Sequence, residues 1–386
     1  MHKLIRVTTV PLSLNLLLRG QLSFLNQYYN VIAVSSSGEA LDIVKNREKI
    51  PTKEINIKRN ISPLNDLKSL FALYKFFKKE KPLIVHSITP KAGLLSMIAA
   101  KLVGVPIRIH TFTGLIFPSK KGILQKILIL MDRLLCLCAT NIYPEGNGVK
   151  SDLIKYKITK KVLRVIANGN INGVDTSHFN PILFNSVQKK NLRNKLGIKD
   201  DDFVFVFVGR LVADKGINEL IQAFYEISKK LVCIKLLLVG PSEPELDPLK
   251  KETLDMIQTD SNIISMGFQS DVRPYFAISN ALVFPSYREG FPNVVIQAGA
   301  MELPSIVTNI NGSNEIIIDG ENGVIIPVKN TEALKEKMEL FITNKTLLSK
   351  LKSNARQMIT SRYEQKIVWE ALLAEYKLLE TQHKSV

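Results

Sequence analysis

Two short stretches hold the residues whose types and spacing could do chemistry. Residues 284–297 read FPSYREGFPNVVIQ: an apolar run, then Arg288 and Glu289, then Gly-Phe-Pro, then a second apolar run closing on Gln297. Gly290 allows close backbone approach. Pro292 suits the first turn of a helix, where no amide hydrogen is needed. The N–H groups of Asn293, Val294 and Val295 would then point at an anion. A carboxylate is repelled by an anion, so Glu289 is expected to face ligand hydroxyls instead. Earlier, VGRLVADKG (208–216) ends a strand at Gly209 and places Arg210 and Lys215 in the loop before a helix. Two cations at a strand's carboxyl end, beside a helix N-terminus, make a diphosphate clamp. In isolation, two solvent-facing loop cations are the more ordinary account.

The elements that must position these residues are read from apolar periodicity. Val- and Ile-rich runs at 30–36, 82–88, 106–112 and 141–146 read as buried parallel strands, with helical stretches at 64–80 and 92–104 between them. The pattern breaks at NGNINGVDTSHFNP (168–181), too rich in Asn and Gly for either helix or strand. It resumes with strands at 202–210, 234–241, 264–268, 281–286, 304–309 and 323–327 and a helix at 216–231. A strong helix over 361–380 carries Trp369, the single tryptophan. Alternating strand and helix predicts two α/β doubly wound, Rossmann-like domains. They are placed at 1–167 and 182–360, with 168–181 as linker and 361–386 as a C-terminal helix. Ligands of such sheets bind outside the carboxyl ends of the strands.

The segment EGFPNVVIQAGAMELPSIVTNINGSNEIIIDGENGVIIP resembles the donor-binding region of glycosyltransferase family 4. So do VGRLVADKG, the linker NGNINGVDTSHFNP and the closing RYEQKIVWEALLAEYK. The resemblance spans nearly the whole chain, and its wording is similar to bacterial transferases of surface polysaccharide assembly. It implies the GT-B fold, two Rossmann-like domains facing across a nucleotide-sugar cleft, with the last helix crossing back to the first domain. It implies a retaining transfer that requires no metal cofactor, from a nucleotide-sugar donor, a UDP-activated N-acetylhexosamine or hexose, to a polyprenyl-diphosphate-linked saccharide. By position, Arg210 and Lys215 would bind the diphosphate and stabilise its departure, and Glu289 would bind sugar hydroxyls. The amides near Phe291, Asn293 and Val294 would contact the diphosphate. The family's next acid, which hydrogen-bonds the ribose, falls at Gln297, a departure. An amide still accepts from one hydroxyl and donates to another, with weaker bonds by about 1 kcal/mol. SMGFQSDV (265–272) resembles the family's base-binding turn, offering Gly267 and the Phe268 face to a nucleobase; an ordinary turn with a core Phe fits equally well. His110, in HTFTG after a strand, matches a family position near the donor sugar.

In the first half, His86, Lys91 and the helix start at Ala92 are candidates for an acceptor phosphate, with Thr113 beside His110 as a further acceptor contact. The loop TTVPLSLNLLLRGQ lacks the paired glycines many relatives carry. The net charge of +17 is concentrated here: residues 1–165 hold 27 Lys and Arg against 9 Asp and Glu. Such asymmetry fits an anionic partner, and equally a solvated basic surface. LIFPSKKGILQKILILMDRLL (115–135) mixes lysines and arginine with Leu and Ile as an interfacial helix does, and as a core helix with a basic outer face does. An anionic membrane surface is the expected partner, with a cytoplasmic protein peripheral on the inner face of the cell membrane. The N-terminus does not read as a signal peptide and no apolar run is long enough to span a bilayer.

Other functions fit less well. The three cysteines, Cys136, Cys138 and Cys233, form no CxxC or Cys/His cluster, so no structural metal is indicated. No GxGxxG follows the first strand, against a dehydrogenase, and no nucleic-acid motif accompanies the charge. A binding or scaffold protein that keeps the fold without turnover stays open through Gln297.

Overall fold

The computed structural model describes residues 1–60, 62–245 and 247–384. The chain forms two compact units, Met1–Gly173 with the stretch from Gln365 onward, and Val174–Glu364.

The first unit holds a six-stranded sheet of β1 (Lys3–Val7), β2 (Asn30–Ser35), β3 (Thr52–Glu54), β4 (Ile84–Ser87), β5 (Ile107–Phe112) and β6 (Asn141–Pro144), in the order β3-β2-β1-β4-β5-β6. Every pairing is parallel. The second unit repeats the plan with β7 (Phe203–Val208), β8 (Ile234–Val239), β9 (Ile263–Gly267), β10 (Ala281–Phe284), β11 (Ser305–Thr308) and β12 (Gly323–Ile326), in the order β12-β11-β10-β7-β8-β9. These strands are also parallel throughout. Parallel strands are covered on both faces, so they read as unbroken apolar runs; FVFVFV in β7 is buried along its centre.

Strand order reverses between β1 and β4 in the first unit and between β7 and β10 in the second. Crossover helices leave on opposite faces at such a point and open a crevice at the strands' carboxyl ends. Two Rossmann-like domains are therefore present, as the alternation of elements implied.

Three features differ from the sequence reading. KLIRV, in a segment weighed only as a leader, is β1 at the centre of its sheet. TKE forms the edge strand β3, too short to show a period. The helix expected over 361–380 is two helices, Lys345–Tyr363 and Gln365–Lys384, separated by Glu364, whose ψ of 138° is not helical. Val174 donates its N–H to the Tyr363 carbonyl at 2.8 Å, so both chain crossings between units lie side by side within the second.

From Gln365 the last helix packs on the first unit. The Trp369 indole donates to Asn172 Oδ1 at 2.8 Å, and its ring lies over Gly20, where a Cβ would come within 2.7 Å. Tyr376 is fully buried between Arg6 of β1 and His86 of β4, at 2.9 and 2.5 Å. No helix among the described residues is long and apolar enough to cross a membrane.

Candidate functional site

The loops leaving β7 and β10 carry the residues that can do chemistry, and they meet at the reversal in the second sheet. Lys215 donates to Glu289 Oε1, and Ser286 Oγ donates to the same oxygen at 2.9 Å. Lys215 also sits 5.8 Å above the Phe284 ring. Arg288 pairs with Asp214 at 2.9 Å, and the Tyr287 N–H donates to the Asp214 carbonyl at 2.9 Å. The Tyr287 phenol donates to Glu219 at 2.6 Å; burial and that carboxylate push its pKa upward. The two loops are thus sewn together, and Gly216 shows how closely. Its φ is +72°, and a Cβ there would lie 2.1 Å from the Pro285 carbonyl oxygen, so only glycine fits.

Arg210 pairs with Glu243 at 3.0 Å with both side chains substantially exposed. Such a pair is weak in water, and a diphosphate can replace the carboxylate. Gly209, with φ +154°, ends the strand beside the Phe207 ring.

The helix Asn293–Ala300 opens next to Glu289, with Pro292 at its N-cap rather than inside its first turn. Of the three amides expected to face an anion, Val295 is corrected: its N–H donates to the Pro292 carbonyl at 3.2 Å, closing the turn. The backbone at Asn293 and Val294 forms the helix start. Phe291 is buried and packs edge-on against Tyr363 at 5.6 Å, so only its backbone can serve a ligand. Gly312, in NGSNE, lies against Gly290: a Cβ would meet the Gly290 oxygen at 2.6 Å. Gln297 is half-buried on the same helix, and its side chain makes no hydrogen bond among the described residues. Phe268 is 73% exposed, which sets aside the core-phenylalanine reading and leaves its face open to a base. Gly267 beside it accepts from the Gly240 N–H at 2.8 Å.

In the first unit His110, near the carboxyl end of β5, is buried, with Nδ1 2.8 Å from Ser87 Oγ and its ring edge-on to Phe112. Burial holds its pKa down to about 3, so the ring is neutral at physiological pH. Its Nε2 makes no hydrogen bond to the described residues. Gly93 leaves room for the ring; a Cβ there would lie 2.5 Å from Cε1.

The acceptor-phosphate role expected of His86 is corrected. The ring is buried with both nitrogens engaged, Nδ1 with Tyr376 and Nε2 with Thr111 at 2.8 Å. Arg6 also donates to the Tyr376 oxygen, so phenol, imidazole and guanidinium form one buried network. Burial and Arg6 hold His86 well below the usual histidine range. Its work is to tie the last helix to the sheet. Lys91 is likewise committed, to Asp66 at 2.7 Å and to the Asn60 carbonyl. Thr113 donates to the Ile88 carbonyl at 2.9 Å and keeps only acceptor capacity.

Several site residues escaped the sequence reading. Ser286, Asp214 and Thr308, whose hydroxyl donates to the Ser286 carbonyl, form the support beneath Glu289. At the β1–β4 reversal Thr9 and Thr89 share a 2.8 Å hydrogen bond, and the Ala92 N–H donates to Thr9. The glycines Gly216 and Gly312 were the available signal for the close approach of loops; no local pattern marks Ser286 or Thr9.

Two family models match the chain: "Glycosyl transferase 4-like" over residues 15–143 and "Glycosyl transferases group 1" over 188–358. The capsular polysaccharide biosynthesis glycosyltransferase CapM of Staphylococcus aureus is 36% identical over 97% of both chains. The chain belongs to glycosyltransferase family 4. Another member, the UDP-Gal:α-D-GlcNAc-diphosphoundecaprenol α-1,3-galactosyltransferase of Escherichia coli, is 31% identical over 79% of this chain and 78% of its own. Among solved structures, a glycosyltransferase from Rickettsia africae superposes with TM-score 0.81 at 21% identity, covering 98% of each chain. Anabaena HepE in complex with UDP gives TM-score 0.81 at 18% identity over 98% of this chain and all of that one. GT-B is therefore the architecture of this family 4 glycosyltransferase.

Proposed function

We propose that this glycosyltransferase moves a sugar, an N-acetylhexosamine or hexose, from a UDP donor to a polyprenyl-diphosphate-linked saccharide with retention of anomeric configuration and without a metal. The reading places the reaction at the cytoplasmic face of a membrane, in synthesis of a surface polysaccharide. The observation that carries it is the Lys215–Glu289 contact at the β7–β10 reversal, close in sequence to the start of the helix Asn293–Ala300, with Arg210 at the start of the same β7 loop. The named activities of the Staphylococcus and Escherichia relatives support the substrate classes.

The residues divide the work by charge. As the sugar–phosphate bond lengthens, negative charge grows on the diphosphate, where Arg210, Lys215 and the helix N-terminus receive it. These groups supply the positive charge a cation would otherwise bring. The group Asp201, Asp202 and Cys233 lies at the amino ends of β7 and β8, away from Arg210, and does not fit a catalytic metal. Glu289, fixed by Lys215 and Ser286, has acceptor capacity left for sugar hydroxyls. His110, neutral with Nε2 uncommitted, is suited to a hydrogen bond with the transferring sugar rather than to charged acid catalysis. Gln297 takes the ribose hydroxyls.

The test is transfer from UDP-sugars to synthetic prenyl-diphosphate saccharides, with product configuration read by NMR. An α-linked product from an α-linked donor in EDTA supports the reading. A β-linked product, or turnover only with added divalent cation, refutes it. Donor binding without turnover on any acceptor would favour the non-catalytic reading that Gln297 suggests.

A further inference from the structure

The first unit contains an apolar pocket that the donor chemistry does not use. Its wall is Leu94, Phe112, Leu115, Ile116, Leu128 and Met131, with Gly114 and Pro90 between them and Arg59 and Lys91 at its polar side. Arg59 is exposed and makes no ion pair among the described residues; Lys91 is shared with Asp66. The remaining polar group is Asp132, whose carboxyl has no hydrogen-bond partner among the described residues. Burial pushes it up to about 7, so at neutral pH the carboxyl is only partly ionised.

We propose that this pocket receives the first isoprene units of the lipid acceptor, with the acceptor's phosphates toward Arg59. The proposal rests on the lipid-linked acceptor assigned above. Three observations favour a branched hydrocarbon chain bearing an anion over other occupants. The lining is aliphatic and aromatic, with few groups that would reward a polar ligand. Of the two cations that line the pocket, Arg59 makes no ion pair among the described residues. Phe112 and Gly114 belong to the segment that carries His110 and Thr113, so a chain seated there delivers its head group beside the candidate acceptor contacts. The pocket also adjoins the helix Gly122–Cys138, whose far side exposes Ile123, Ile127, Leu130, Leu134 and Leu137, the side from which a membrane-borne chain would arrive.

Two measurements on the whole protein separate this proposal from the reading beneath it. The first is equilibrium binding of farnesyl diphosphate with UDP present in excess, so that the donor site is filled. The expected result is saturable binding that inorganic pyrophosphate does not displace, weakened at least tenfold by Ile116→Glu and by Leu94→Trp, and retained by Asp132→Asn. Ile116 is partly exposed, so that variant is expected to fold even if Leu94→Trp does not; circular dichroism and UDP binding check each. The second is transfer to a prenyl-linked acceptor and to the same saccharide diphosphate on a short alkyl chain. Ile116→Glu should raise KM for the prenyl acceptor at least tenfold and leave the alkyl acceptor unchanged. No farnesyl binding, or binding indifferent to both substitutions, overturns the pocket assignment while leaving the transferase intact. Farnesyl binding as expected with no transfer to any acceptor would instead overturn the catalytic reading and keep the site.

Discussion

Lys215 and Glu289, 74 residues apart in sequence, share one hydrogen bond at the point where the second sheet reverses its strand order. Both are mostly shielded from water, with 15% and 18% of their side chains exposed. The pair holds a carboxylate and an ammonium side by side where the loops leaving β7 and β10 meet.

That pairing makes the two residues a unit. Lys215→Ala and Glu289→Gln are each expected to lower kcat by about 10²–10³, and the double variant to lose clearly less than the product of the two. A double-mutant cycle on kcat checks this. Strict additivity would show that the contact is incidental to turnover.

Gln297 invites the reverse experiment. Restoring an acid with Gln297→Glu should tighten UDP binding by about fivefold, the worth of about 1 kcal/mol for a charged over a neutral acceptor. Titration calorimetry of the variant reads it directly, and weaker binding would remove Gln297 from the ribose contact.

Acid stability should follow the buried histidines. The folded pKa of His110 is about 3 and that of His86 lies well below the ordinary value. Below about pH 6.5 the unfolded chain takes up two protons that the folded chain refuses, so stability falls with pH. Asp132, raised to about 7, works in the opposite sense between pH 7 and about 4, because there the folded state binds the extra proton. The balance is one proton, a loss of about 1.4 kcal/mol per pH unit from 6.5 toward 4. Urea unfolding at pH 7.5, 6 and 5 measures it. Asp132→Asn should steepen the slope and His86→Gln should flatten it.

The exposed stripe on the helix Gly122–Cys138 has Lys120, Lys121, Lys126 and Arg133 around it, the arrangement of an interfacial helix. Sedimentation with vesicles containing anionic lipid should carry the wild type down and release it in part at 1 M salt. Leu130→Asp should weaken binding about tenfold without changing UDP affinity. Equal sedimentation of the variant would place the membrane contact elsewhere.

Much of the fold was legible because parallel strands buried on both faces leave unbroken Val and Ile runs. β1 was overlooked for the opposite reason: Arg6 breaks its run, and only the structure shows its guanidinium buried with one hydrogen bond to Tyr376 of the last helix. The break at Glu364 had no Pro or Gly to mark it. At the candidate site, position after strands singles out Arg210, Lys215 and Glu289, and the structure brings the last two into contact. Their supports are not so marked, since Ser286, Thr308 and Asp214 are ordinary residues given meaning by contacts many residues away. His86 misled because a histidine at a strand end has the same local sequence whether it faces ligand or core.

The central claim is that Arg210 and its neighbours stabilise a departing nucleotide diphosphate. The measurement that tests it most directly is release of UDP from a panel of UDP-sugars, with GDP- and ADP-sugars as controls, by wild type and Arg210→Ala in EDTA. The account predicts slow release from one UDP-sugar by the wild type, unaffected by the chelator, and a fall of about 10²–10³ in kcat for the variant with UDP still bound. Equal rates for the two proteins, or release that EDTA abolishes, would contradict it.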